Sequence, residues 1–179
     1  MKVAANALLL AVGTGMLMGG AHIAYAAQEG ESRTLVAELL ASNEVPPLSP
    51  DNIEGAAAGT GTVTIDPPQS EGEDPRVTLS FDVCGLSGSE ITFVKVDLHK
   101  GSGHERGYIA IDSAVQRSSP LTLPVSDGCV TGTLAGVAGS GQEISAVVDE
   151  MLAEPSGFYF ELHTVSNDSG MARGQLVLK

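Results

Sequence analysis

The sequence has few basic residues. Nine Lys and Arg stand against 22 Asp and Glu in 179 residues, and the basic side chains form no cluster. A surface this acidic repels nucleic acid and anionic lipid. We therefore expect no nucleic-acid partner. The acidity is compatible with solubility, with weak association of cations, or with docking onto a basic protein surface.

Motifs of the common enzyme classes are also missing. The sequence contains no Gly-x-Ser-x-Gly, no Walker loop and no Cys-x-x-Cys. Its Ser, His and Asp residues are too scattered to suggest a catalytic triad. The sequence therefore predicts a protein that is not an enzyme.

The amino terminus carries almost no charge. After Met1 and Lys2 an apolar run leads to the small-x-small pattern Ala24-Tyr25-Ala26, which is typical of a secretory signal peptide over residues 1–26. An uncleaved anchor is the alternative, since roughly 20 apolar residues can span a bilayer. Membrane contact would then occur only through this leader. We expect residues 27–179 to form one exported domain, periplasmic or extracellular.

Cysteine is scarce, with only Cys84 and Cys129, both beyond the leader. In an oxidising compartment an even pair predicts a disulfide. Two separate buried thiols are the alternative.

Short alternating segments rich in Thr, Val and Ser, separated by Gly and Pro, predict an all-β domain. We expect an antiparallel, Greek-key-like β-sandwich of about eight strands with one short amphipathic helix over residues 141–153, where apolar residues recur with helical spacing. The candidate strands are 34–41, 59–68, 76–84, 90–99, 108–113, 121–125, 129–136, 157–165 and 172–179.

Two of these strands carry candidate metal ligands. Alternation along EITFVKVDLH places Asp97 and His99 on one face, together with Phe93, and alternation along FYFELHT places Glu161 and His163 on one face. If the two strands are neighbours, the four polar groups converge. Two imidazoles with one or two carboxylates suit Zn²⁺, Cu²⁺ or non-haem iron.

The loop KGSGHERG offers His104 as a fifth ligand. The alternative is a structural role, in which His99 and His163 bond to loop backbone and both carboxylates are solvated. Two carboxylates close together on one face repel each other unless a cation offsets them.

Three further strings occur in a fixed order: ASNEVPP (41–47), GLSG followed by VDLHKGSG, and FELHT…SGMARGQL (160–176). Together they resemble the CHRD domain, which is named from chordin and is widespread in bacterial exported proteins. The resemblance implies an antiparallel β-sandwich in an exported protein, with no established enzymatic activity.

The sequence departs from the family pattern at two places. The middle motif usually reads His-x-His, whereas here it is Asp97-Leu98-His99, and Met171-Ala172-Arg173-Gly174 lacks the usual glutamate. A role that needs that first histidine or that glutamate does not carry over. Arg173 could instead pair with Glu44 and tie the first and last strands together.

These observations lead to two functional hypotheses. The first is an exported interaction module without enzymatic activity, with a protein partner in an envelope or membrane complex. The second is a periplasmic transition-metal-binding protein that uses Asp97, His99, Glu161 and His163.

Overall fold

The computed structural model describes residues 30–139 and 141–179. The predicted leader, residues 1–26, lies outside these residues. Neither described range contains a helix with the length and hydrophobicity of a transmembrane span.

The described residues contain nine strands and one α-helix. Every segment predicted as a strand is a strand, with ends that differ by two residues at most. The elements are β1 (Arg33–Leu40), β2 (Ala58–Asp66), β3 (Arg76–Cys84), β4 (Glu90–Lys100), β5 (Tyr108–Ser113), β6 (Leu121–Pro124), β7 (Val130–Ala138), α1 (Ile144–Ala153), β8 (Phe158–Thr164) and β9 (Ala172–Leu178).

Eight of the strands close into a ring in the order β1-β2-β3-β7-β5-β4-β8-β9, with every neighbouring pair antiparallel. The all-β, antiparallel class is confirmed. The strands form a closed eight-stranded barrel rather than an open sandwich, and the expected sandwich-like arrangement is compatible with such a barrel. The reason for the closure is β5, which pairs with β7 along one edge and with the end of β4 along the other, so it closes the single sheet into a ring. The sixth strand lies beside the first half of β4. Closure removes the exposed edges that an open sheet would leave.

The core fills the inside of this ring. Inward residues of β3 contribute Val77, Leu79, Phe81 and Val83, as their alternation predicts. The helix packs Val147, Val148 and Met151 against the same core.

The helix begins at Ile144, three residues later than predicted. Gly141 adopts φ +77°, which a helix cannot contain, so the helical pattern starts only after this turn. The helix ends before Pro155, in agreement with the expected stop.

A β-bulge changes the phase of β4. The pairing register with β8 shifts between Phe93 and Lys95, so Phe93 points into the core, where its ring lies 4.9 Å from that of Phe81. The prediction that Phe93 shares a face with Asp97 and His99 is therefore wrong, because the extra residue reverses the alternation.

The predicted disulfide is confirmed. Cys84, the last residue of β3, is bonded to Cys129, which directly precedes the neighbouring strand β7. The bond thus links two strands that already pair with each other.

Candidate metal centre

The two ligand-bearing strands are neighbours, as the metal hypothesis requires. In the antiparallel pair β4–β8, Asp97 lies opposite Glu161 and Lys95 lies opposite His163. Because Phe158, Phe160 and Leu162 point into the core, the alternating residues of β8 point outward. The four predicted ligands therefore lie together on the outer wall of the barrel.

The ligand atoms of these residues converge. His99 Nε2 lies 3.1 Å from Asp97 Oδ1 and 3.1 Å from Glu161 Oε2. His163 Nε2 lies 3.4 Å from each of the same two oxygens. Two nitrogens and two oxygens thus alternate around one point, and one ligand atom from each residue lies within 4.8 Å of all the others. We call these four residues the outer-wall cluster.

Backbone carbonyls orient both imidazoles. The Nδ1 atom of His99 lies 3.1 Å from the carbonyl oxygen of Gly107, and Nδ1 of His163 lies 3.1 Å from that of Asp168. A proton on Nδ1 bonds to such a carbonyl, which leaves Nε2 facing the carboxylates. Histidines that bind metals are commonly held in this way by their second nitrogen.

Loops bury the cluster although it lies outside the barrel. Asp97 is 0 % exposed and His99, the most accessible member, is 9 % exposed. Part of the cover is the loop of residues 101–107, whose last residue accepts the His99 bond and donates a 2.9 Å hydrogen bond to the hydroxyl of Tyr159. The prediction that Asp97 and Glu161 are solvated is wrong, because these loops exclude water from both.

The carboxylates and imidazoles shift one another's pKa values. Burial acts to raise the pKa of Asp97, but hydrogen bonds from His163 and His99 outweigh it and leave that pKa below its usual value. The pKa of Glu161 is lowered in the same way, with burial opposed by a hydrogen bond from His163.

The imidazoles respond in the opposite direction. Burial acts to lower the pKa of His163, but hydrogen bonds to Asp97 and Glu161 raise it to about 10. The pKa of His99 is also raised, mainly because its hydrogen bond to Asp97 opposes the effect of burial. In the metal-free protein the cluster therefore favours protonated imidazoles beside ionised carboxylates.

Glu44 is a neighbour of the cluster that sequence reasoning did not assign to it. Burial, followed by the charge of Glu161 and a hydrogen bond to it, raises the pKa of Glu44 to about 9. A carboxylic acid that stays protonated at neutral pH donates a hydrogen bond to its ionised neighbour. Glu44 thus holds Glu161 from the side away from the imidazoles.

Gly170 provides the space for these two acids. A Cβ atom on Gly170 would lie 2.2 Å from Glu44 Oε2 and 2.8 Å from Glu161 Oε1. Both separations are too short for real contacts, so any larger residue would displace the acids. The SGMARG string holds this glycine, but only the fold reveals what faces it.

The predicted ion pair between Arg173 and Glu44 is not formed. The guanidinium donates instead to the backbone carbonyls of Asn43, Gly103 and Glu105 at 2.7–3.0 Å. Two loops present these carbonyls to the start of β9. Arg173 therefore fastens the covering loops and does not link the first and last strands through Glu44.

A stack of planar groups connects Arg173 to the outer-wall cluster. The Arg173 guanidinium lies 4.6 Å from the centre of the Tyr159 ring, and that ring stacks on His99 at 5.0 Å and 4°. The stack fixes the plane of the His99 ring from behind. Tyr159 was not predicted as a site residue, although its alternation with Glu161 was a usable signal.

His104 does not join the cluster. Its side chain is exposed in the 101–107 loop, and the four converging residues do not include it. The prediction of a fifth ligand from this loop is wrong, because the loop is tied down by Arg173 with His104 facing solvent.

Buried polar atoms without hydrogen-bond partners concentrate at the cluster. Among the described residues they include Asp97 Oδ2 and Glu44 Oε1. Such atoms are few in native proteins, and an ion is one common reason for them. The donors thus fit a cation that prefers mixed nitrogen and oxygen ligands.

Comparison with known proteins identifies the family. The family model described as the CHRD domain matches residues 35–176, a range that runs from β1 into β9 and contains the whole outer-wall cluster. No curated protein and no solved structure matches the chain. The matched range covers most of the sequence, and the chain belongs to the CHRD domain family.

Proposed function

We propose that this CHRD-domain protein binds one divalent transition-metal ion, Zn²⁺ or Cu²⁺, at the outer-wall cluster. The observation that carries the proposal is the convergence of both Nε2 atoms on the same two carboxylate oxygens at 3.1–3.4 Å. Four donors placed at roughly 2.0–2.1 Å around a tetrahedral ion are about 3.3–3.4 Å apart. Four of the six separations between donors, those from nitrogen to oxygen, are close to that spacing.

The choice of metal follows from the donors. Imidazole suits Zn²⁺, Cu²⁺ and iron, whereas Mg²⁺ and Ca²⁺ prefer oxygen alone. The set contains no sulfur, since both cysteines are in the disulfide. Iron remains within the range of this ligand set, so the metal titration includes Fe²⁺.

A site with four protein ligands and little exposure suits a structural or storage role. Catalytic zinc sites keep a position open for water or substrate, whereas structural sites are closed. The members of the cluster are less than 10 % exposed. We therefore propose a non-enzymatic role, and an exported location agrees with the disulfide.

Protons compete with the metal for the same atoms. With both imidazoles protonated, the four groups form a structural ion cluster that requires no metal, and this is the alternative account of the geometry. Metal must displace those protons, so its affinity should fall as pH falls.

The test is metal titration by calorimetry of protein purified without a His-tag or chelator. We expect one ion per chain, and we expect binding to be lost in the double variant His99→Ala/His163→Ala. The matched control is His104→Ala, which removes an exposed imidazole outside the cluster. Unchanged binding in the double variant, or none in the parent protein, would refute the proposal.

The interaction hypothesis remains a second proposal, supported by a separate observation. Ile53 and Val165 are 65 % and 56 % exposed, and both line a cleft of about 260 Å³. Exposed aliphatic side chains in one concave place suit a protein partner in an envelope or membrane complex. The test compares proteins retained from an envelope fraction by the parent chain and by Ile53→Ser/Val165→Ser. Identical retention would count against this surface.

A further inference from the structure

A second concave surface lies away from the outer-wall cluster, between α1 and the connection from β2 to β3. It encloses about 520 Å³. None of the outer-wall cluster or of the residues that cover it lines this groove, which is formed where β1 begins and where β2 and β9 end. Its size is within the range of ordinary ligand sites.

The walls of the groove are largely apolar. The helix contributes Val148 and Leu152, the strands contribute Ile65 and Leu178, and the connection from β2 to β3 contributes three prolines. Because proline has a fixed φ, a wall that contains Pro67, Pro68 and Pro75 loses little backbone conformational entropy when a partner covers it. Leu178 is 44 % exposed, which leaves apolar surface for a partner to bury.

The groove also carries unbalanced negative charge. Among the described residues, Glu31, Glu73 and Asp149 line it against a single cation, Arg33. Within residues 30–139 and 141–179, none of these four side chains takes part in an ion pair. An apolar floor with free carboxylates beside it is complementary to an apolar group flanked by positive charge.

We propose that this groove docks a partner-protein segment in which apolar residues are flanked by Lys or Arg. The apolar side chains would cover Leu152 and Leu178, and the flanking cations would face the three carboxylates. A second copy of this chain is a poor occupant, because each chain carries a formal charge of −13 and the two would repel. An acidic segment is disfavoured by the same carboxylates.

Two blocked peptides test the charge requirement, Lys-Leu-Trp-Leu-Lys and Glu-Leu-Trp-Leu-Glu. The chain contains no tryptophan, so indole fluorescence reports the peptide alone. We expect saturable binding of the basic peptide and a Kd roughly ten-fold weaker for the acidic one, since each exposed charge pair contributes a modest amount. Equal affinity for both peptides would overturn the proposal.

Two triple variants with the same net charge distinguish an effect of the groove's carboxylates from an effect of the overall negative charge. Glu31→Lys/Glu73→Lys/Asp149→Lys should reverse the peptide preference. Glu38→Lys/Asp82→Lys/Glu90→Lys, which alters exposed acids outside the groove, should keep it. The proposal fails if the two variants behave alike.

Substitution of the exposed Leu178 tests whether the apolar walls of the groove contribute to binding. Leu178→Ser should weaken binding of the basic peptide several-fold while circular dichroism stays unchanged. Unaltered affinity would contradict the assignment. Sedimentation of the parent protein tests whether a second copy of the chain occupies the groove. Self-association that Leu178→Ser abolishes would mean that the groove binds a second copy and not a basic partner segment.

Discussion

Two walls of the barrel share the same antiparallel pairing and differ on their outer faces. On β2 and β3 the outward residues include Thr62 and Ser80, which lie opposite each other and remain partly exposed. On β4 and β8 the outward residues Asp97, Glu161 and His163 are buried beneath loops. Threonine on a solvated strand face is ordinary for a β-sheet, whereas buried ionisable groups are not.

The difference shows that alternation alone does not reveal a site. The outward residues include polar side chains on both walls. Only the β4–β8 wall is covered by loops that exclude water from these side chains. Buried charges destabilise a fold unless they are paired or bind a metal. The β4–β8 wall is therefore the part of the molecule where a cation, whether protons or a metal, is required to offset two opposed carboxylates.

The largest expected effect comes from removing one carboxylate on the buried wall. Asp97→Ala should lower the free energy of unfolding by about 3–5 kcal/mol, because it leaves buried charge without its partner. The matched control is Asp82→Ala, on the exposed face of β3, which should change it by less than about 0.5 kcal/mol. Urea unfolding in EDTA measures both. Equal effects at the two positions would erase the distinction between the walls.

Bound metal should stabilise the protein only through the ligands of the β4–β8 wall. Zn²⁺ at about 100 times its Kd should raise the free energy of unfolding by about 2.7 kcal/mol in the parent protein. The gain should vanish in His99→Ala/His163→Ala and persist in Ser80→Ala. Stabilisation that survives in the double histidine variant would place the ion elsewhere.

Glu44 should act through Glu161. Glu44→Gln can still donate a hydrogen bond, so its Zn²⁺ affinity should remain within a few-fold of the parent value. Glu44→Ala cannot, and its affinity should fall by about 10- to 100-fold, as is typical when a partner of a metal ligand is removed. Calorimetric titration compares the two. If Glu44→Gln and Glu44→Ala bind equally well, the hydrogen bond to Glu161 has no role in orienting the site.

The most gradual effect concerns pH in the metal-free protein. Because the pKa of His163 is raised from 6.5 to about 10, its protonated form contributes stability that is full below pH 6.5 and is lost as pH rises towards 10. The difference in unfolding free energy between the parent and His163→Gln should therefore shrink over this interval in EDTA. A difference that is constant with pH would mean that His163 is neutral throughout.

Much of this architecture could be predicted from the sequence. The alternation of Phe158, Phe160 and Leu162 against Glu161 and His163 is a local property, and it holds in the fold. The pairing of Asp97 with Glu161 required only that two strands be neighbours.

Features that depend on long-range geometry could not be predicted. The closed ring depends on β5 pairing with two strands at once, and the position of Phe93 depends on a bulge that no composition signal marks. Glu44 and Gly170 reach the cluster through the paths of loops, which have no periodicity to read. The same reason explains why Arg173 was assigned the wrong partner.

Anomalous diffraction from crystals grown with Zn²⁺, measured at the zinc absorption edge, would show whether the outer-wall cluster holds the ion. The metal-binding proposal predicts a single strong peak bounded by Nε2 of His99, Nε2 of His163 and the carboxylate oxygens of Asp97 and Glu161. A cluster with no peak, in which the nitrogens and oxygens keep their 3.1–3.4 Å contacts with one another, would contradict it.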